Sequence, residues 1–356
     1  MHLLGAARAH RRTAIAGVRE KGGSRVTTHP DMFTKGATES GRGGLLHNGP
    51  GTFLKAPWIP CETDAIRREG ARAVFLGVPF DQATVYRSGS SLAPKMMRFV
   101  SDQYLPYLGD FDIDLFEEFG LIDCGDVPII PANAERSRDN IEASVGAILE
   151  AGALPICIGG DHSLPIPIGQ ALSRHLGERT FGYIHFDAHI DCQPDVDGEL
   201  FTNWSHMARM VELPNIDPKN MAVVGVRGAT NPPEQWNFVE QNGIHMYLMR
   251  DVRRDGIEKV VADALEKVTD GVDAFYVSWD SDVVDAAFLP GTDGPEVGGL
   301  SSWEILRACE MVGARKPALM DIVELIPAYD LPALISHRLA CYFIFHLLGG
   351  WATGSP

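Results

Sequence analysis

Strand-length apolar runs and helix-spaced segments alternate along most of this chain. Six apolar runs of strand length, at 73–78, 154–158, 181–186, 221–226, 274–278 and 318–323, are separated by segments with helical spacing. Those segments lie at 94–103, 140–151, 165–175, 205–211, 233–241, 257–268, 302–312 and 332–348. The runs are near-continuous Val, Ile, Leu and Phe rather than alternating, as strands are when helices cover both faces of a parallel sheet. The spacing therefore predicts an α/β fold: a three-layer α/β/α arrangement around a mostly parallel central sheet. No linker-like break follows residue 60, so residues 51–356 are expected to form one domain.

Residues 1–50 read differently. They carry eight Lys or Arg and three acids, a net +5, which leaves −21 on the rest of a chain whose formal charge is −16. This stretch is rich in Gly, Ala, Ser and Thr and is expected to be a flexible basic arm. Its first 25 residues are Arg-rich and acid-poor, as transit peptides are; translation from Met32 is the other alternative. The acidic body argues against nucleic acid or an anionic membrane as a general partner. No run of about 18 apolar residues is present. The six cysteines include no CxxC pair, and several sit in apolar runs, so a reducing cytoplasm is expected.

Open parallel sheets bind ligands beyond the carboxyl ends of their strands, and polar residues cluster there. Gly159-Gly160-Asp161-His162-Ser163 follows the run 154–158. Asp187-Ala188-His189-Ile190-Asp191 follows 181–186, and Trp279-Asp280-Ser281-Asp282 follows 274–278. An extended strand end has a period of two, so Asp187, His189 and Asp191 are expected to face one side, as are Asp280 and Asp282. Four clustered carboxylates would raise one another's pKa; two divalent cations would neutralise them. Mixed nitrogen and oxygen ligands without thiolate suit Mn, Ni, Co or Zn. Two such ions about 3.5–4 Å apart can bring a water's pKa from 15.7 to about 7, which yields a nucleophile at neutral pH.

These motifs resemble the ureohydrolase family of arginase, agmatinase and related amidinohydrolases. The family pattern of GGDHS, DAHxD and SxDxDxxD followed by PG[ST] stands here as Gly159–Ser163, Asp187–Asp191 and Ser278 to Thr292. The likeness runs over residues 70 to 350. It implies hydrolysis of a guanidino group to urea and an amine. It also implies that His162, Asp187, Asp191 and Asp280 hold one metal, and that Asp187, His189, Asp280 and Asp282 hold the other. Glu324 falls where the family places a carboxylate that pairs with the guanidinium. His206 falls where it has a proton-shuttling histidine, although Met207 follows in place of the usual Gly. Asp282 is expected to help stabilise the tetrahedral intermediate, and His206 to protonate the leaving amine. His175, His185 and His245 have no motif and are read as structural. The upstream stretch Gly77-Val78-Pro79-Phe80-Asp81 and Arg87 to Arg98 keeps part of a further family signature, with Ser88 and Ala93 as departures.

For the substrate, Asp195, Asp197 and Glu199 after DAHxD disfavour a substrate carboxylate, so a small cationic guanidino compound is expected. Asp285-Ala286-Ala287-Phe288-Leu289-Pro290-Gly291, with the long N-terminal arm and residues 51–57, resembles the branch of nickel-dependent guanidine hydrolases and metformin hydrolases. That likeness implies Ni2+, with Mn2+ as the alternative, and substrates such as guanidine, dimethylguanidine or metformin. An agmatinase-type enzyme and a non-catalytic partner subunit are the competing readings; intact ligands weigh against the second. The family resemblance also implies a homo- or hetero-trimer or hexamer, with a related subunit as one partner.

Overall fold

The computed structural model describes residues 51–354. The expected basic arm 1–50 lies outside the described residues. Ten strands occur in chain order: β1 (Ala73–Gly77), β2 (Tyr107–Leu108), β3 (Ile113–Asp114), β4 (Ile122–Asp126), β5 (Leu154–Ile158), β6 (Phe181–Phe186), β7 (Met221–Val226), β8 (His245–Leu248), β9 (Ala274–Asp280) and β10 (Leu319–Val323). Strands β2 and β3 form a small antiparallel hairpin. The other eight form a parallel sheet in the order β4-β1-β5-β10-β9-β6-β7-β8. From β5 one half of the sheet runs outward through β1, and from β6 the other half runs outward through β7. The strands β10 and β9 fill the space between, so β5, β10, β9 and β6 present their carboxyl ends side by side. This is the switch region where open sheets place ligands.

The strands divide their side chains between two apolar layers with a period of two. Phe75, Ile156, Ile184, Phe186, Val277 and Trp279 join one core, with the helices Ile257–Val268, Ser302–Ala314 and Ile335–Thr353. Val74, Leu76, Cys157, Tyr183 and Tyr276 join the other, with Ala134–Ala151 and Pro165–Leu176. The expected three layers follow directly from this alternation. The apolar circumference of Ile335–Thr353 is spent inside the protein. A β-carbon on Gly313 would come within 1.9 Å of Leu347 O, and one on Gly350 within 2.1 Å of Glu310 O, so the two helices touch backbone to backbone.

All six apolar runs are strands. Two further strands, β4 and β8, sit at the sheet edges; an edge strand buries less and so carries a weaker apolar signal. Within β4, Asp123 is buried but is paired by Arg98 Nε at 2.8 Å. Helix starts differ from the expected ones where a cap decides them. Ala134–Ala151 begins six residues before the expected 140, because Asn133 Oδ1 accepts the Arg136 N–H. The last helix begins at Ile335 rather than Pro332, with Asp330 accepting from Ser336 N. The short helices Thr63–Glu69, Leu115–Phe119 and Met249–Asp255 have no counterpart among the expected segments. All six cysteines are free thiols and five are buried. Among the described residues, no helix is long and apolar enough to cross a membrane.

Candidate active site

After β5 the chain turns through Gly159 (φ 87°) and Gly160 (φ 100°), a backbone that L residues rarely adopt. A side chain on Gly160 would meet Phe80 O at 2.4 Å. The turn delivers His162 over the sheet. Its Nε2 lies 3.1 Å from Ser278 Oγ, and Ser278 Oγ donates to Asp321 Oδ1 at 2.7 Å. With the serine proton committed to Asp321, His162 Nε2 carries a proton and Nδ1 faces the opposite way. There Nδ1 stands 3.0 Å from Asp187 Oδ2, 3.2 Å from Asp191 Oδ2 and 3.0 Å from Asp280 Oδ2.

A second group adjoins the first. His189 Nδ1 is 2.9 Å from Asp282 Oδ2 and 3.4 Å from Asp187 Oδ1. The two oxygens of Asp187 thus face the two groups. Asp280 turns Oδ2 toward His162, while its Oδ1 accepts the Asp282 N–H at 2.9 Å. The six expected ligands are brought together, but not by strand alternation. β6 ends at Phe186, so Asp187, His189 and Asp191 stand on the following loop, which reverses at Asp191 with φ 50°. Asp282 stands on a single 3-10 turn, Ser281–Val283, after β9. Asp280, the last residue of β9, keeps the expected extended strand end, whereas Asp187, His189, Asp191 and Asp282 stand on turns.

The electrostatics fit a divalent pair. His162 Nδ1 and Asp187 Oδ2 are buried without a hydrogen-bond partner, and three carboxylates surround that one nitrogen. Burial would lower the His162 pKa, but Asp187, Asp191 and Asp280 outweigh it and hold the imidazole well above its usual range. Burial, then the neighbouring Asp187, pushes Asp191 up to about 7. Asp280 is raised well above the carboxylate range by burial and by Asp282 and Asp187. A cluster this short of positive charge is stable with protons or with metal ions, and its donor set of imidazole nitrogen and carboxylate oxygen is one that Mn or Ni accepts.

Glu324 follows β10 with φ 60°, an uncommon conformation for a residue with a side chain and one that costs on the order of 1–3 kcal/mol. Its backbone N–H donates to Gly160 O at 2.9 Å. Its Oε1 accepts from His162 N at 2.8 Å and from Asn203 Nδ2 at 3.0 Å. Its Oε2 is buried without a partner. The whole residue is 2% exposed, and burial together with Asp280 raises its pKa well above normal.

His206 is buried beside the cluster, its ring 4.0 Å from that of His162. Its Nδ1 is 3.2 Å from Tyr183 Oη, and its Nε2 is 3.8 Å from Asp191 Oδ2. Burial, reinforced by His162 and His185, holds it well below the usual histidine range, so it is neutral. His185, read from the sequence as structural, lies in the same group: its ring is 4.9 Å from that of His206, neither ring nitrogen has a partner, and burial lowers it to about 3.

Two buried residues beside Glu324 escape sequence reasoning. Asn203 bridges Glu324 and Asp293, at 3.0 Å and 3.4 Å. Asp293 is 6% exposed and its Oδ1 accepts from Arg87 N at 2.8 Å. Only the following Gly hints at a close approach: a β-carbon on Gly294 would lie 3.0 Å from His189 Cε1. The acids singled out for substrate charge, Asp195, Asp197 and Glu199, are instead exposed on a tight turn, where Asp195 Oδ1 accepts from Gly198 N.

The arginase family model matches residues 71–349. Guanidinopropionase of Pseudomonas aeruginosa is 34% identical over 286 residues, covering 78% of this chain and 85% of that one. Agmatinase of Bacillus subtilis is 32% identical, covering 74% and 86%. Among solved structures, proclavaminate amidino hydrolase from Streptomyces clavuligerus superposes with a TM-score of 0.75 at 30% identity, over 85% of this chain and 97% of that one. Trypanosoma cruzi formiminoglutamase with Mn2+ gives 0.74 at 26% identity, over 85% and 98%. By the family match and these identities, the chain belongs to the arginase family and is one of its amidinohydrolases.

Proposed function

We propose that this enzyme hydrolyses the C–N bond of a guanidino compound without a carboxylate, such as guanidine, dimethylguanidine or metformin. The carrying observation is Glu324: a strained, buried carboxylate with Oε1 doubly held and Oε2 unpartnered beside the cluster. A planar cation pairs with such an oxygen through charge-assisted hydrogen bonds, which fixes the orientation of its central carbon.

His162, Asp187, Asp191 and Asp280 would hold one divalent ion, and Asp187, His189, Asp280 and Asp282 the other. Such ions supply a water that is nucleophilic at neutral pH. Around them the chain's residues divide the work. Glu324 orients the guanidinium, Asp282 faces the NH groups of the reacting carbon, and His206 passes a proton toward the leaving amine. In the balanced reaction, water supplies the oxygen of urea, the C–N bond breaks, and the amine leaves with a proton. Ni2+ is the proposed metal and Mn2+ its rival. The proposal also takes residues 51–356 as one catalytic domain, in a cytoplasmic trimer or hexamer.

Agmatine is the second reading, favoured by the similarity to agmatinase of Bacillus subtilis. Urea release from guanidine, dimethylguanidine, agmatine, 3-guanidinopropionate and arginine, and guanylurea or urea from metformin, separates these readings when Ni2+ and Mn2+ are loaded in turn. Turnover of a carboxylate-free compound is expected. Exclusive turnover of the two acids would overturn the substrate class, and no turnover of any compound would overturn the reaction.

A further inference from the structure

We infer that Asp293 is a specificity-determining residue: with Glu324 it forms a two-carboxylate receptor that selects guanidino compounds lacking an anionic tail. The inference rests on the guanidino-hydrolase reading and extends it to a residue outside the metal cluster and outside Glu324.

Asp293 is placed by backbone contacts at both ends. Its N–H donates to Glu324 O at 3.2 Å, beside an antiparallel bridge between Thr292 and Leu325. On its other side, Gly294 packs so tightly that an added β-carbon would lie 3.0 Å from His189 Cε1 and 3.3 Å from Asp282 Oδ2. Asp293 therefore stands between the orienting carboxylate and the cluster. Its Oδ1 is satisfied by Arg87 N, but Oδ2 has only the 3.4 Å contact with Asn203, too long to satisfy a charged oxygen. Glu324 Oε2, buried and unpartnered, becomes the second open acceptor when a bound cation offsets the burial that raises its pKa. Asn203 spans the two carboxylates with one amide nitrogen, so both are held in a common frame.

One buried carboxylate oxygen without a donor and a second served only at 3.4 Å disfavour a third carboxylate and favour N–H groups carrying positive charge. The neighbouring Arg87 keeps its charge, which favours the ionised form of Asp293 against the effect of burial. The Arg87 guanidinium is 4.8 Å from the ring centre of Tyr86 and 5.0 Å from that of Tyr329, and its Nη2 donates to Tyr86 Oη. It is thus engaged by two aromatic faces. Burial raises Asp293 to about 6, which leaves it mostly ionised at neutral pH.

The test uses the metal-loaded full chain, with calorimetric titration of guanidinium chloride and kcat/KM for guanidine and 3-guanidinopropionate. Asp293→Asn is expected to weaken guanidinium binding about tenfold and to lower the guanidine-to-acid ratio about tenfold, the worth of one charge-assisted hydrogen bond. Asp293→Glu, which keeps the charge, should recover much of the preference; Glu199→Gln on the exposed turn should change neither quantity. Circular dichroism checks each fold, and Asp293→Ser replaces Asn if that variant does not fold. An unchanged affinity and ratio in a folded, uncharged variant would overturn the inference. Guanidinium binding that depends on Asp293 without urea formation in the wild type would sink the hydrolase reading alone.

Discussion

Glu324 Oε1 accepts the backbone N–H of His162 at 2.8 Å, across 162 positions of sequence. The turn that carries the first imidazole of the cluster and the carboxylate proposed to hold the substrate are therefore one unit. Gly160 O completes the link by accepting Glu324 N–H. Distance between cation and cluster is thus fixed by backbone, before any substrate arrives.

The Glu324 linkage makes its replacement informative. Glu324→Gln keeps the shape and one acceptor but loses the charge. Urea release should fall by at least about a hundredfold, with most of the loss in kcat, since orientation is what the charge supplies. Metal content should stay at the wild-type level, which a metal analysis of the same sample checks. Wild-type turnover in this variant would remove Glu324 from substrate binding.

Behind His162 stands a buried relay: Ser278 Oγ donates to Asp321, and Tyr276 Oη donates to the other oxygen of the same carboxylate. This relay sets the tautomer that turns Nδ1 toward three carboxylates. Asp321→Asn is expected to weaken metal affinity by about 10- to 100-fold. Competition with a chelator of known affinity measures it, and an unaltered affinity would show that the tautomer is set elsewhere.

Stability of the metal-free protein should depend on pH with an unusual sign. Asp161, Asp293 and Asp321 are raised to about 6 and Asp191 to about 7, each chiefly by burial. A carboxylate raised above its unfolded value near 4 stabilises the fold while protonated, and that contribution is lost as pH rises through the folded value. The melting temperature of chelated protein should therefore increase as pH falls from about 8 toward 6. Buried His185, lowered to about 3, opposes the trend below about 6.5, where the unfolded chain takes up the proton. Differential scanning fluorimetry across this range checks the sign; a melting temperature that drops steadily from pH 8 would contradict it.

His206 is neutral in its buried setting, so its proposed part is the passing of a proton rather than a standing charge. His206→Asn should lower kcat about tenfold or more with little change in KM. The acid limb of the kcat profile should also change. A shift confined to KM would assign it to positioning instead.

Much of this molecule is legible in its sequence. The six buried strands announce themselves because burial on both faces removes polar residues, and GGDHS, DAHxD and SWDSD stand where parallel sheets carry chemistry. Edge strand β4 is not legible, since its buried Asp123 is satisfied by Arg98 and by Phe53 N, both from other elements, and β8 is only half-buried. The positive φ at Asp191 and Glu324 leaves no mark in residue type. Asp293 is easily passed over for the same reason that Asp195, Asp197 and Glu199 are overvalued: a sequence displays charge but not exposure. His185 looks structural because its neighbours in space, His162 and His206, lie far along the chain, and their return to β6 depends on tertiary packing.

Two divalent ions held by this cluster are proposed to drive guanidino hydrolysis. Metal content and urea release, measured on the same samples of wild type and Asp280→Asn, test this. Two ions per wild-type chain are predicted, with activity that vanishes on chelation and returns on reloading. Fewer than two ions and no urea are predicted in the variant. Full activity in Asp280→Asn, or in the chelated wild type, would rule out a metal-dependent reaction at this cluster.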